Sequence, residues 1–173
     1  MAQFWNRVVR ACKLDSELYE EVEADRGAMM QAALVVVLSA AASGIGLAAS
    51  MGLFGVVVFS LAALLGWYIW AYLTYFIGTR LLPEEQTEAD HGQLLRTLGF
   101  ASAPGMLRIF GVVPGIGQLS FPIGAVWMLF ATVIAVRQAL DYSSTLRAIG
   151  VCIIGWIIYA MITFIPAMLL GPG

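Results

Sequence analysis

Five ionisable side chains stand at or inside long apolar stretches of the chain: Arg96, Arg108, Arg137, Asp141 and Arg147. A charge inside a hydrocarbon layer is costly enough to mark a binding or packing role by default. Arg96, Arg137 and Arg147 read as cations that snorkel to a membrane interface. Arg137 and Asp141 stand four apart, one helical turn, where opposite charges meet. Arg108 breaks the charge pattern of the rest of the chain. It is expected to be buried or to snorkel outward, and three roles are open to it: contact with an outer-leaflet lipid phosphate, anchorage of the end of its own helix, or pairing with a partner's carboxylate. These five are the candidate interaction or lipid-contact residues.

No other group has the spacing of a catalytic centre. The chain lacks a Gly-x-Ser-x-Gly elbow, a His-Glu-x-x-His pair and a phosphate-binding glycine loop. His91 is the single histidine, which excludes the usual Ser-His-acid arrangements unless it folds onto a serine. Without a second His or a nearby Cys it cannot anchor a usual zinc site, and it reads as a loop or cap residue. Cys12 and Cys152 lie in different parts of the chain, and a bridge between them is not expected. The carboxylates gather at Asp15–Asp25 and Glu84–Asp90, where a solvated surface is their natural role. None falls in mid-span, where an ion-coupled transporter usually carries one. The reading is therefore non-enzymatic, with no cofactor and no metal. A net charge of −2 without a basic tract excludes nucleic-acid binding.

Hydrophobic residues make up 61% of the 173, well above the roughly 45–50% of soluble domains. They collect in five blocks, Met29–Met51, Leu53–Ile77, Leu94–Val113, Leu119–Ala139 and Leu146–Leu170. A helix of about 20 residues covers the hydrocarbon core of a bilayer. With a cytoplasmic N-terminus and five crossings, eight of the nine cations fall on the cytoplasmic side and only Arg108 on the other. That is the positive-inside bias in strong form. The expected fold is all-α, a polytopic membrane bundle of five transmembrane helices behind a short amphipathic and acidic N-terminal helical segment. Residues 1–28 form that segment, 29–170 the membrane domain and 171–173 an extracytoplasmic tail. A secretory signal is excluded by the many acidic residues before the first apolar block.

Phe4, Trp5, Val8, Val9 and Cys12 recur at helical spacing, with Arg7, Arg10 and Lys13 between them. Such a helix can lie in the headgroup layer with its cations on anionic lipid, or pack on the protein's own cytoplasmic face. Asp15 or Ser16 then caps a helix that runs through Gly27 into the first span. In that span Ser39, Ala42, Ser43, Gly46 and Ser50 form a face of small residues, suited to seating another helix of the chain or, less simply, a second copy. The second span follows a tight turn near Met51 and Gly52. Its aromatic half, Trp67 to Phe76, is too long to lie wholly at an interface and must in part pack inside, as core or as a cavity wall.

The third block is ambiguous. Arg96 and Arg108 bracket about eleven residues, about 17 Å of helix, too short to cross alone. A re-entrant segment is the rival, but it would place Arg137 and Arg147 outside. A full span from about Gln93 to Val113, kinked at Pro104, keeps the charge rule; proline removes one helix hydrogen bond and obstructs another. Pro114 to Gly117 reads as the turn into span four, and Ser143 to Thr145 as the cap of span five, which ends near Pro166.

The run Leu94-Leu95-Arg96-Thr97-Leu98-Gly99-Phe100-Ala101-Ser102-Ala103-Pro104-Gly105, the Pro114 turn, Trp127, and Ala135-Val136-Arg137-Gln138-Ala139-Leu140-Asp141 followed by Ser143 to Ala148 resemble the bacterial branch of the Yip family of five-span membrane proteins (Ypt/Rab-interacting proteins). The resemblance covers about Met29 to Leu170. It implies a cytosolic N-terminus, five spans and association with other membrane proteins. In eukaryotic relatives it implies binding to Rab-type GTPases and a role in vesicle formation. Their Asp-Leu-Tyr-Gly-Pro signature has as its nearest counterpart Glu17-Leu18-Tyr19-Glu20-Glu21, without the Gly-Pro turn, so GTPase binding is not carried over.

The leading functional expectation is a scaffold or accessory subunit of the cytoplasmic (inner) membrane. It would meet other membrane proteins, or a second copy of itself, through the small-residue face and the surface around Arg96, Arg137 and Asp141. The alternative is lipid handling or small-solute transport along the broken third span, the aromatic second span and Arg108. A polar groove reaching Arg108 would favour the alternative. Membrane lipid is a partner in either case.

Overall fold

The computed structural model describes residues 1–46, 52–113, 115 and 117–170, with side chains for all of these except 52, 53, 118 and 162–170. Ser50, Met51, Pro114 and the 171–173 tail lie outside the described residues, as does the side chain of Pro166. Seven α-helices and no strand occur among the described residues: α1 Ala2–Cys12, α2 Ser16–Ala24, α3 Met29–Gly46, α4 Gly52–Phe76, α5 His91–Ala101, α6 Gly117–Ala139 and α7 Thr145–Leu170. Three stretches, Arg26–Gly46, Phe54–Leu81 and Leu119–Ala139, are long and apolar enough to cross a membrane, and α7 carries a shorter apolar stretch, Thr145–Met161.

The third block forms a composite element instead of a kinked helix. Asp90 and Gln93 make a reciprocal capping box that starts α5. After Ala101 the chain tightens into a 3₁₀ helix over Ala103–Val112. The change precedes Pro104, which has no N–H to continue the α ladder. Ser102 N bonds Gly99 O at 3.2 Å and Gly105 N bonds Ser102 O at 2.9 Å, both in three-residue steps. Eleven residues of α-helix and ten of 3₁₀-helix span about 36 Å, more than an α-helix of the same length would.

This element runs beside α3, in the same direction, from end to end. Gly92 adjoins Met29, Gly99 adjoins Ala32, Gly105 adjoins Ser39, and Gly111 adjoins Gly46. It does not turn back. Leu94 to Ala101 are buried all round, which makes α5 the centre of the bundle. On its other side α6 returns antiparallel, with Gly117 against Gly111 and Met128 against Gly105. The end of α3 packs on the start of α4, with Val56 on Gly44. The small-residue face of α3 is occupied by this packing. Ser39 and Ala42 are buried, and the Gly46 backbone lies against the Arg108 carbonyl and Phe121. Ser43 faces a cavity described below.

Helix α2 caps one end, and α1 reaches from there along the bundle, where Trp127 Nε1 of α6 donates to the Cys12 carbonyl at 2.8 Å. A continuous helix from Ser16 into the first span does not form. Asp25 is extended, its carboxylate accepts from Gly27 N at 2.8 Å, and one 3₁₀ turn over Arg26–Ala28 precedes α3. The poor helix propensity of glycine and the Asx cap explain the break. Asp15, not Ser16, caps α2, accepting from Glu17 N. Helix α1 packs Phe4, Val8 and Ala11 on the bundle and leaves Trp5 and Val9 facing out. Its cations do not point to lipid headgroups as the interfacial reading had them. Arg7 is 3% exposed and bonds Glu21 and Asp25, each at 2.8 Å, and Gln31 at 3.2 Å. Arg10 pairs with Asp15 at 2.7 Å and with Glu21. The Arg7 guanidinium holds the Asp25 carboxyl below its usual range, and Arg10 does the same for Asp15.

Glu23 is the acid of this cap that titrates near neutrality. Burial first, and then the Asp141 charge, push it up to about 7, with Glu20 and Asp90 adding and Arg96 opposing. A carboxyl raised on folding favours the folded state while protonated, and that contribution is lost as pH rises through the folded value. Glu23→Gln is therefore expected to raise the thermal midpoint at about pH 8 and leave it nearly unchanged at about pH 4, below the ordinary carboxyl value. Equal shifts at both values would remove Glu23 from this role.

Candidate functional site

The five candidate cations and acids are not one site. Arg96 sits at the capped end and does not snorkel. It is 5% exposed, and its guanidinium bonds the carbonyls of Val22 (2.9 Å from Nε) and Glu23. These carbonyls belong to the last turn of α2, whose oxygens have no partner within the helix and whose dipole favours a cation. Arg137 does not pair with Asp141. The helix ends at Ala139 and Asp141 takes φ 51°, which destroys the four-residue geometry. Arg137 bonds the Tyr142 and Ser143 carbonyls at 3.2 and 3.4 Å instead. Arg147 is likewise drawn to the chain, to the Pro83 carbonyl at 2.6 Å and the Glu84 carboxylate at 3.2 Å. Arg137 and Asp141 still share a shallow cleft of about 320 Å³ with Glu20, Gln138 and Tyr142. Among the described residues, no three His, Cys, Asp or Glu side chains come together as a metal site.

At the opposite end the arrangement differs. A cavity of about 570 Å³ lies between α3, α4, the composite third element, α6 and α7. Phe59, Trp67, Trp70, Phe121 and Trp156 supply its apolar walls, and Ser39, Ser43, Ser102 and Thr132 its hydroxyls. Pockets of about 300–1,000 Å³ with apolar walls and a few convergent polar groups are typical of ligand sites. The walls are held in place. Trp67 Nε1 donates to the Leu95 carbonyl at 3.0 Å, and Trp70 stacks on Trp156 at 6.1 Å and meets Tyr159 edge-on.

Arg108 is the cation of this cavity. Its backbone stands at the far end of α3, beside Gly46, and its side chain reaches back inward rather than outward. The stem passes over Gly124, where a Cβ would sit 3.4 Å from Arg108 Cγ, leaving α6 room for it. Nη1 lies 3.5 Å from Ser43 Oγ, and Nε is buried without a hydrogen-bond partner. The second-span aromatics divide between roles. Trp67 and Trp70 face the cavity, while Tyr68, Tyr72 and Tyr75 surround the His91 ring edge-on at 4.9, 5.8 and 6.3 Å. His91 is thus more than a loop residue: it opens α5 and docks it on α4. Burial lowers its pKa, with Asp90 opposing.

The cavity has the room and the mixed lining that a ligand site needs, with one cation among hydroxyls and aromatics. Of the cavity residues, sequence reasoning singled out Arg108, Ser39 and Ser43 but gave no such role to Ser102, Thr132 and Trp156. Their signal was present: each is a polar or amphipathic residue in the middle of an apolar span, and only packing shows that they face one another.

No curated protein and no solved structure matches the chain. A family model, the Yip1 domain, matches residues 16–165, nearly the whole of the membrane domain together with α2. This polytopic, all-helical membrane protein belongs to the Yip1 domain family.

Proposed function

We propose that the chain is a lipid-handling protein of the cytoplasmic membrane that takes a membrane amphiphile into the cavity between α3, α4, α6 and α7 and does no covalent chemistry on it. It crosses the bilayer five times with a cytoplasmic N-terminus. The composite third element supports that count, because it accompanies α3 along its full length, and the cation distribution supports the orientation. The observation that carries the function is the cavity of about 570 Å³, reached by a cation and walled by aromatics. Irregular backbone at membrane depth is tolerated beside such a space, and the 3₁₀ turns bearing Arg108 supply it.

Of the surfaces first assigned to protein association, the small residues of α3 pack on the third element, Arg96 and Arg137 bond the chain's own carbonyls, and Asp141 stays exposed in the cleft beside Arg137. Native mass spectrometry of protein released in mild detergent tests the proposal. One bound lipid is expected on the wild type and none on Ala63→Trp, which places an indole in the cavity; thermal unfolding confirms that the variant is folded. A lipid-free wild type, or a folded variant that keeps its lipid, rejects the proposal. A co-purifying membrane protein in place of lipid favours association.

A further inference from the structure

We infer that the ligand of this cavity is an anion and that its phosphate or carboxylate sits on the Arg108 guanidinium. For the apolar remainder of the ligand the inference rests on the lipid-handling reading above. Charge placement carries the anionic part. All eleven Asp and Glu side chains occur at 15–25, 84–90 and 141, at the capped end of the bundle. From Met29, at that end, to Ser43 beside Arg108 is fourteen residues of α3, about 21 Å. Among the described residues, no Asp or Glu side chain forms an ion pair with Arg108.

A cation drawn half out of water gains from a partner, and Arg108 has one long contact to a serine oxygen and a buried Nε without one. The guanidinium fork, five donors in a plane, matches the oxygens of a carboxylate or phosphate. Ser43 Oγ donates to the Ser39 carbonyl at 3.0 Å, so its lone pairs face the arginine and leave the other guanidinium donors for the ligand. Arg108 is also the one cation on its side of the membrane under the five-crossing topology, which makes it the focus for anion selection there. Beyond the charged end, the rings of Phe59, Trp67, Trp70 and Trp156 offer mainly apolar surface, which suits an acyl or similar chain.

The full chain in a neutral detergent is titrated with three probes: phosphatidic acid, phosphatidylcholine with the same acyl chains, and sodium phosphate. Binding is read by thermal midpoint and by native mass spectrometry. Phosphatidic acid is expected to bind at least about tenfold more tightly than phosphatidylcholine, Arg108→Gln to abolish the difference, and Arg108→Lys to keep part of it. Stabilisation by phosphate alone that is lost in Arg108→Gln supports the anion site and identifies a free solute as the ligand, even if no lipid binds and the lipid-handling reading falls. Equal binding of the two lipids by the wild type overturns the inference while leaving lipid handling intact. That comparison needs no variant, so misfolding of Arg108→Gln does not weaken it. An unchanged preference in folded Arg108→Gln overturns it too.

Discussion

Gly99→Val is expected to lower the stability of the bundle by about 3 kcal/mol, near the top of the usual range for overpacking. Two effects of opposite sign act at this position. Gly99 is in the interior of α5, where any side chain gains helix propensity, about 1 kcal/mol for alanine. A Cβ there would meet Ala32 Cβ at 2.7 Å and the Ala32 backbone at 3.1 Å, atoms of a neighbouring helix that cannot rotate away. Close approach of backbones is what small residues provide in membrane bundles. Overpacking wins, so even Gly99→Ala is expected to be destabilising, by about 1 kcal/mol net. Gly150→Ala is the control. Its Cβ would find Leu82 Cδ1 at an ordinary 3.6 Å, and propensity alone predicts a gain of up to about 1 kcal/mol. Thermal unfolding of both alanine variants in one detergent gives the two signs. A gain at Gly99 would mean that α3 and α5 are not in the contact described, and a loss at Gly150 would mean that α7 is packed more tightly there than its contact with Leu82 shows.

That contrast shows where sequence reading succeeds and where it ends. Four apolar blocks anticipated α3, α4, α6 and α7 to within a few residues at most described ends, because twenty apolar side chains in a row leave a helix few alternatives. The spacing of small residues on α3 was equally plain. Which glycines face it was not, since Gly99 and Gly150 look alike in the chain and differ only in what lies opposite. The third block was legible as a break at Pro104 but not as ten residues of 3₁₀ helix, whose tighter winding is sustained by packing between α3 and α6. The charges were the hardest to place. Arg96, Arg137 and Arg147 have the spacing of interfacial cations, yet each ends on backbone carbonyls brought from 5 to 74 residues away. Helix ends leave such carbonyls without partners, and one-dimensional patterns do not say which arginine will reach them.

Arg96→Met should release the N-terminal cap while leaving the cavity in place. Methionine keeps much of the apolar stem that packs in the core, so the loss isolates the guanidinium bonds. Those bonds join α5 to the Val22 and Glu23 carbonyls at the end of α2, and hydrogen bonds from a charged donor contribute about 1.5–3 kcal/mol each. Part of that is recovered as water reaches the freed carbonyls, so a net loss of about 3 kcal/mol is expected. Its effect falls on docking rather than on the bundle, because α3 and α6 hold the 3₁₀ half of the third element without Arg96. Limited trypsin digestion is the direct measurement. Cleavage after Arg7, Arg10 or Lys13 should accelerate at least tenfold in Arg96→Met, whereas lipid retention by native mass spectrometry should not change. Arg96→Lys should fall between, since an ammonium keeps the charge at the helix end but cannot span two carbonyls with a rigid fork. If cleavage stays at the wild-type rate in Arg96→Met, the apolar contacts of Leu18, Tyr19 and Val22 hold the cap by themselves and the buried arginine has another use. If lipid is lost along with protection, the two ends of the bundle are coupled through α5, and the cytoplasmic cap controls access to Arg108.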